Sequence, residues 1–265
     1  MNLIEQNHKK NIIQNSTTKK TMEVATYEPK NILITGASKG IGRCLAINLS
    51  KHKANVILLA KNEDLLDSLY DEIKEKYDTN PMIIGCDLSE LEENKAQEIA
   101  NVISKNYKCL DALINNAGIL KKMSSIHDYD LNSWEKVVNV NLTSAFLISK
   151  YLLPLLMDSE LPRIIFTSSG VANKGKAYWG AYSVTKAGTK NLSEILNDEL
   201  SSIPNFKVFN FNPKETRTEM RALAYPAENP SLVKTPDELM HYYFWMLSEK
   251  STSSSKIHID FGDEI

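Results

Sequence analysis

In the stretch "AYSVTK", Tyr182 and Lys186 stand four residues apart. If that stretch is helical, both side chains share one face, and an ammonium close to a phenol favours the phenolate, pulling the tyrosine pKa from about 10 toward working pH. Such a tyrosine can pass a proton to or take one from a carbonyl or alcohol oxygen. Ser169 precedes Tyr182 by thirteen positions, at the end of the apolar run "RIIFTSS". Its hydroxyl can donate to the same oxygen and stabilise negative charge developing there. A Tyr-x-x-x-Lys pair by itself carries little, because exposed helices produce it by chance. Its weight comes from following a strand that ends in serine, downstream of a loop built for a dinucleotide.

That loop is "GASKGIG", with Gly36, Gly40 and Gly42 spaced G-x-x-x-G-x-G between the apolar run "NILITG" and the amphipathic segment "IGRCLAINLSKHK". Glycines there let the backbone turn tightly and approach a pyrophosphate, and the helix opening near Ile41 offers free N–H groups and the positive end of its dipole. The next apolar run ends "LLAKN". An acidic residue at that strand end would hold the ribose 2′-hydroxyl of NAD, whereas a cation suits the 2′-phosphate of NADP. Here Ala60 is followed by Lys61, and Lys39 in the glycine loop adds a second cation, so the charges favour NADP(H) over NAD(H). Lys61 alone also reads as a solvated lysine at a helix start; the missing carboxylate decides between the two.

The elements needed to hold these residues can be read from the alternation of short apolar runs with longer amphipathic segments, the pattern of βαβ units. Strands are expected at "NILITG", "NVILLA", "PMIIGCD", "ALINNAG", "RIIFTSS", "KVFNFN" and "KIHIDF", with helices over 62–77, 91–106, 133–157, 181–202 and 236–248. The expected fold is α/β: one Rossmann-type domain over 30–265, a doubly wound parallel sheet of about seven strands with helices on both faces. Residues 1–29, rich in Asn, Lys and Thr, read as a disordered extension. The alternatives there are a basic arm through Lys9, Lys10, Lys19 and Lys20, and a native start at Met22.

These motifs together resemble the short-chain dehydrogenase/reductase family in its compact form, from about Asn31 to the end of the chain. "TGASKGIG" is similar to the family's cofactor loop and brings Ser38, Lys39 and Ile41 into it. "CDLS" supplies Asp87 and Leu88 where the family holds the adenine. "NNAG" contributes Asn115, Ala117 and Gly118 after the fourth strand. In "VNVNLTSAF", Asn141 matches the asparagine whose helix distortion places a water near the catalytic lysine. With Ser169, Tyr182 and Lys186 it completes the family's catalytic tetrad, which implies an NAD(P)-dependent oxidoreductase acting on a small carbonyl or alcohol substrate. Within the family, the segments around the tyrosine and after the sixth strand resemble the bacterial oxidoreductases called YciK-type.

One stretch departs from the family pattern. Where the family reads Pro-Gly-x-x-x-Thr, this chain reads Pro213, Lys214, Glu215, Thr216, Arg217, Thr218. The resemblance still assigns nicotinamide-side contacts to Pro213, Thr216 and Thr218. If the glycine serves a positive φ, lysine there carries a strain on the order of 1–2 kcal/mol. Its ammonium faces either solvent or the bound ligands. The segment 214–234 is read as a lid over the substrate, with Tyr178 and Trp179 lining the same pocket. A second reading of the whole chain is a noncatalytic NADP(H)-binding sensor, supported only by Lys214 and the tail "DFGDEI".

Composition narrows the partners. A net charge of -2 gives no global case for nucleic acid or an anionic membrane. Cys44, Cys86 and Cys109 lie too far apart for a CxxC site, so neither metal nor a disulfide framework is expected, which suits a reducing, cytoplasmic compartment. No apolar run approaches the ~20 residues of a membrane span, and no secretory leader is apparent. The resemblance implies homodimers or homotetramers packed through 133–157 and 181–202.

Overall fold

The computed structural model describes residues 30–265; the expected extension over 1–29 and the alternative start at Met22 lie outside the described residues. All seven expected strands form: β1 (Asn31–Thr35), β2 (Asn55–Ala60), β3 (Met82–Gly85), β4 (Ala112–Asn115), β5 (Arg163–Thr167), β6 (Lys207–Asn212) and β7 (His258–Asp260). Most are shorter than the apolar runs that announce them, because the last residues of those runs leave the sheet as loops at its carboxyl edge. The seven strands pair entirely in parallel, in the order β3-β2-β1-β4-β5-β6-β7.

Parallel neighbours need crossover connections, and helices supply most of them. They are α1 (Gly40–Lys51), α2 (Glu63–Lys76), α3 (Glu93–Asn106), α4 (Leu131–Val138), α5 (Ser144–Met157), α6 (Gly180–Glu199), α7 (Glu219–Ala224) and α8 (Met240–Met246). Successive strand residues point to opposite faces. Ile32, Ile34, Val56, Leu58, Phe209 and Phe211 pack under α1, α2 and α8. Leu33, Ile57, Leu59, Leu113, Ile164 and Val208 pack under α3, α5 and α6. Burial on both faces explains why the strands read as nearly continuous apolar runs rather than alternating ones. The strand order reverses direction between β1 and β4, opening a crevice at their carboxyl ends where such sheets take their ligands.

Local signals set several boundaries. Asn62 caps α2 by accepting from the Leu65 N–H at 2.9 Å, and Asp130 caps α4 through the Ser133 N–H at 2.8 Å, so α4 begins two residues before the expected start. The helix expected over 236–248 opens instead as a 3₁₀ turn, Pro236–Leu239, behind a capping box of Thr235 and Glu238. Between α4 and α5, residues Asn139–Thr143 form one π turn, making Leu131–Met157 a continuous helical stretch of 27 residues. By length and composition this stretch could cross a bilayer, which scanning for unbroken apolar runs does not reveal. Half of its most apolar window is buried inside the protein.

At the opposite, amino edge of the sheet, Arg163 opens β5 and is 1% exposed. Its guanidinium donates to the carbonyls of Met246 (2.9 Å), Pro162 (2.9 Å) and Ser248 (3.1 Å) and to the Thr252 hydroxyl (2.9 Å), joining β5 to the end of α8.

Candidate active site

The carboxyl end of β5 brings the proton-transfer residues together. The chain leaves Thr167 in extended form through Ser169, makes a short 3₁₀ turn at Gly170–Ala172 and begins α6 at Gly180. Tyr182 lies in the first turn of α6, 7% exposed, and Lys186 one turn later, 4% exposed. The Lys186 ammonium donates to the Thr167 carbonyl at 2.6 Å and sits 5.7 Å from the centre of the Tyr182 ring. Asn141, buried in the π turn, accepts from the Ile119 N–H at 2.8 Å and donates to the Ile119 carbonyl (3.1 Å) and the Thr185 hydroxyl (3.2 Å). It thereby ties the loop after β4 to α6.

The electrostatics correct the sequence expectation for the tyrosine. Burial raises the Tyr182 pKa, and the hydrogen bond with Ser169 opposes this only in part. The ammonium is close, but it is itself desolvated, and burial lowers the Lys186 pKa to about 8. In the protein without ligands Tyr182 is therefore held as a phenol, the form needed to give up a proton.

Beside this cluster lies a cleft of about 650 Å³. One end is the glycine loop: Gly36 and Gly40 have φ of +67° and +53°, and a methyl built on Gly42 would lie 2.2 Å from the Gly36 carbonyl oxygen. The Thr35 hydroxyl accepts from the Asn116 and Ala117 N–H groups, both at 3.0 Å, and the Asn116 amide donates to the Thr35 carbonyl at 3.0 Å. These bonds hold the loops after β1 and β4 in one surface. No side chain caps the start of α1 at Lys39, so its first N–H groups remain for an anion. The cradle fits a dinucleotide pyrophosphate.

Of the expected cofactor residues, Gly36, Ser38, Lys39, Gly40, Ile41, Ala117, Gly118, Pro213, Thr216 and Thr218 line this cleft together with Ser169, Tyr182 and Lys186. Gly42 packs behind the loop. Lys61, Asp87, Leu88 and Asn115 are not among the lining residues. Lys61 and Asp87 form an ion pair with each other at the ends of β2 and β3. Burial works to raise the Asp87 pKa, but the bonds from Lys61 and from the Ser89 N–H and hydroxyl outweigh it and hold the carboxyl at about 2. Asn115 is buried, donates to the Ser149 hydroxyl at 3.1 Å, and leaves its own carbonyl oxygen without a protein partner. It borders, with Asn141 and Lys186, a cavity of about 10 Å³, room for one water.

The far wall is made by the segment after β6. Lys214 keeps the left-handed backbone of the glycine it replaces, at φ +50°, and its ammonium lies over Gly262 in the tail, 3.8 Å from where a Cβ there would stand. Thr218 caps α7 by accepting from the Arg221 N–H at 3.2 Å. Glu219 reaches across the cleft to Lys39 at 2.8 Å. Trp179 lines the cleft as expected, while Tyr178, at φ +71° and 61% exposed, does not. Sequence reasoning passed over Asn116, Thr167, Leu120 and Lys176 as lining residues, while Arg221 falls within the expected 214–234 segment. Only Asn116, inside the "NNAG" motif, had a signal that could have found it. Among the described residues no three His, Cys, Asp or Glu side chains gather as a metal site.

Known proteins share this arrangement. Residues 30–229 match the family described as short chain dehydrogenase. The uncharacterized oxidoreductase YciK of Escherichia coli is 36% identical over 241 residues, covering 88% of this chain and 95% of YciK. A short chain dehydrogenase from Shigella flexneri, crystallised with NADP, superposes with a TM-score of 0.85 at 35% identity, covering 88% of this chain and 97% of that one. Another from Escherichia coli CFT073, crystallised with NADPH, gives 0.84 at 36% identity over 87% and 95%. With the sheet order, the glycine cradle and these matches in agreement, the chain belongs to the short-chain dehydrogenase family.

Proposed function

We propose that this protein is an NADP(H)-dependent carbonyl reductase or alcohol dehydrogenase in which Tyr182 transfers the proton. The observation that carries the reading is the set of half-buried Ser169 and buried Tyr182 and Lys186 at one end of a cleft whose other end is the glycine cradle. NADP(H) is favoured over NAD(H) because β2 ends in Ala60 and Lys61 with no carboxylate, Lys39 stands in the cradle, and two similar structures carry NADP or NADPH.

When bound, the cofactor supplies or accepts a hydride at the substrate carbon. In the direction of reduction, negative charge grows on the substrate oxygen, and the Ser169 hydroxyl donates to it. Tyr182 gives that oxygen its proton, turning C=O into CH–OH and leaving a phenolate beside the Lys186 ammonium, which stabilises it. Asn141 holds the neighbouring loop and α6 in register. In oxidation the phenolate takes the hydroxyl proton back. Residues 214–234 act as the lid, and 30–265 as one catalytic domain. Exposed Phe146 and Met157 on α5 and Val184 and Ile195 on α6 suit packing of a cytoplasmic homodimer or homotetramer.

The test is a fluorescence titration with NADPH and NADH beside turnover assays on aromatic aldehydes, using wild type, Lys61→Asp and Tyr182→Phe. Tighter NADPH binding, weakened by Lys61→Asp, with turnover lost in Tyr182→Phe while NADPH still binds, is the expected result. Turnover that survives in Tyr182→Phe would sink the assignment of the proton donor, and failure of both nucleotides to bind would sink the reductase reading as a whole.

A further inference from the structure

Among the described residues, the cleft contains a cation that neither takes part in the reaction nor pairs with a carboxylate. Lys176, in the loop before α6, lines the cleft beyond Trp179. Its ammonium lies 5.8 Å from the Trp179 ring and 5.7 Å from the Tyr225 ring, and donates to the Tyr225 hydroxyl at 3.2 Å. No carboxylate pairs with it among the described residues. The other cations of the cleft have occupations: Lys39 pairs with Glu219, Arg221 with Glu228 at 2.6 Å, Lys186 holds the Thr167 carbonyl, and Lys214 lies against the tail. Glu219 is already engaged by Lys39, and the charge of Glu215 acts on Lys234 and Arg221.

Between Lys176 and the reacting hydroxyl stands an aromatic wall. The Trp179 ring is 5.6 Å from that of Tyr182 and 6.2 Å from that of Tyr225, with Leu120 and Met220 packed in the same cluster. A substrate oxygen at Tyr182 and Ser169 thus puts the body of the molecule along Trp179 and its far end at Lys176. Lys176 is exposed at the mouth of the cleft, so an anionic group that reaches it gains a charge-assisted hydrogen bond that a neutral group in the same place does not.

Resting on the reductase reading, we propose that the substrate is an anionic carbonyl compound: a carboxylate or phosphate held by Lys176, separated from the reacting carbon by a flat apolar body about one aromatic ring long that lies on Trp179 and Tyr225. Reduction follows the balance given above, the hydride going to the carbonyl carbon and the Tyr182 proton to its oxygen. The anionic group takes no part in bond making.

The probes are 4-carboxybenzaldehyde and its methyl ester, which share the ring and the aldehyde and differ in charge. In wild type the carboxylate is expected to be preferred in kcat/KM. Lys176→Gln should lower kcat/KM for the carboxylate by roughly tenfold, mostly through KM, and leave the ester within about twofold; Lys176→Glu should reverse the preference. NADPH affinity should stay unchanged in both variants, which shows that they fold. Equal effects on the two aldehydes, or none on either, overturn the proposal. Calorimetric binding of the two compounds to the protein with NADP⁺, repeated in Tyr182→Phe, reads the charge preference without hydride transfer. If that preference is present and depends on Lys176 in a Tyr182→Phe protein, the anion site stands whatever becomes of the proton donor. If neither compound binds differentially, the anion site falls while the reductase reading is untouched.

Discussion

A buried cation stands at each end of strand β5, Arg163 from the strand itself and Lys186 from α6, and the two are treated in opposite ways. At the amino edge, Arg163 is fully engaged by neutral carbonyls, that of Asn205 (2.5 Å) included, and a hydroxyl. At the carboxyl edge, Lys186 has the Thr167 carbonyl at 2.6 Å, an aromatic ring nearby and a cleft in front of it. Burial lowers both, Arg163 to about 10 and Lys186 to about 8. A guanidinium with every donor satisfied serves as a structural joint. An ammonium left short of partners is costly to bury and is therefore available to a phenolate formed beside it. The stable end of the sheet and the reactive end use the same physics with different accounting of hydrogen bonds.

The comparison breaks or sharpens under substitution. Lys186→Met is expected to have the largest effect, lowering kcat/KM by about 10²–10⁴-fold, with a urea midpoint no lower than wild type because an under-solvated charge is removed. A fall in stability comparable to the Arg163 variant would erase the distinction. Arg163→Met, in turn, orphans several buried carbonyls and should cost about 3 kcal/mol, seen as a drop in Tm of roughly 6–12 °C, with the turnover of the folded fraction unchanged.

The pH dependence of stability offers a finer probe. Burial holds the folded pKa of Lys186 at about 8, below the ordinary lysine value of 10.5. Between those values the unfolded chain binds more protons, so this lysine's contribution to stability rises with pH across that window and is at its worst below pH 8. Raised tyrosines such as Tyr182 and Tyr243 act oppositely at the alkaline end, so the difference between wild type and Lys186→Met isolates the effect. That difference should narrow from pH 7 to 10; a constant difference would mean that Lys186 is not desolvated. The smallest effect belongs to a third, exposed cation. Lys214→Gly relieves a left-handed backbone and should stabilise by about 0.5–1 kcal/mol in urea unfolding, without altering NADPH affinity.

What the sequence revealed follows from how local each signal is. Strands buried on both faces announce themselves as apolar runs, and all seven were legible; so were the glycine cradle and the grouping of Ser169, Tyr182 and Lys186, each defined by short spacing beside a strand end. Helix α7 spans six residues, too few to show a period. The pairing of Lys61 with Asp87 depends on how far the ends of β2 and β3 stand apart, a property of the sheet. The direction of the Tyr182 shift is set by burial, which competes with the nearby charge and wins. Arg163 reads as an ordinary solvated cation until packing shows it sealed under α8, and only the fold shows that the exposed Lys176 stands over aromatic rings.

The bridge between Lys39 and Glu219 joins the glycine loop to α7 across the mouth of the cleft, with side chains 55% and 76% exposed. An ion pair so open to water contributes about 0–1 kcal/mol, enough to favour the closed arrangement only a few-fold. An arriving phosphate therefore meets a carboxylate already seated on its ammonium and displaces it in a near-even exchange of anions. Parting the glycine loop from α7 at this bridge thus costs little, and ionic strength, which screens so exposed a pair, lowers that cost further.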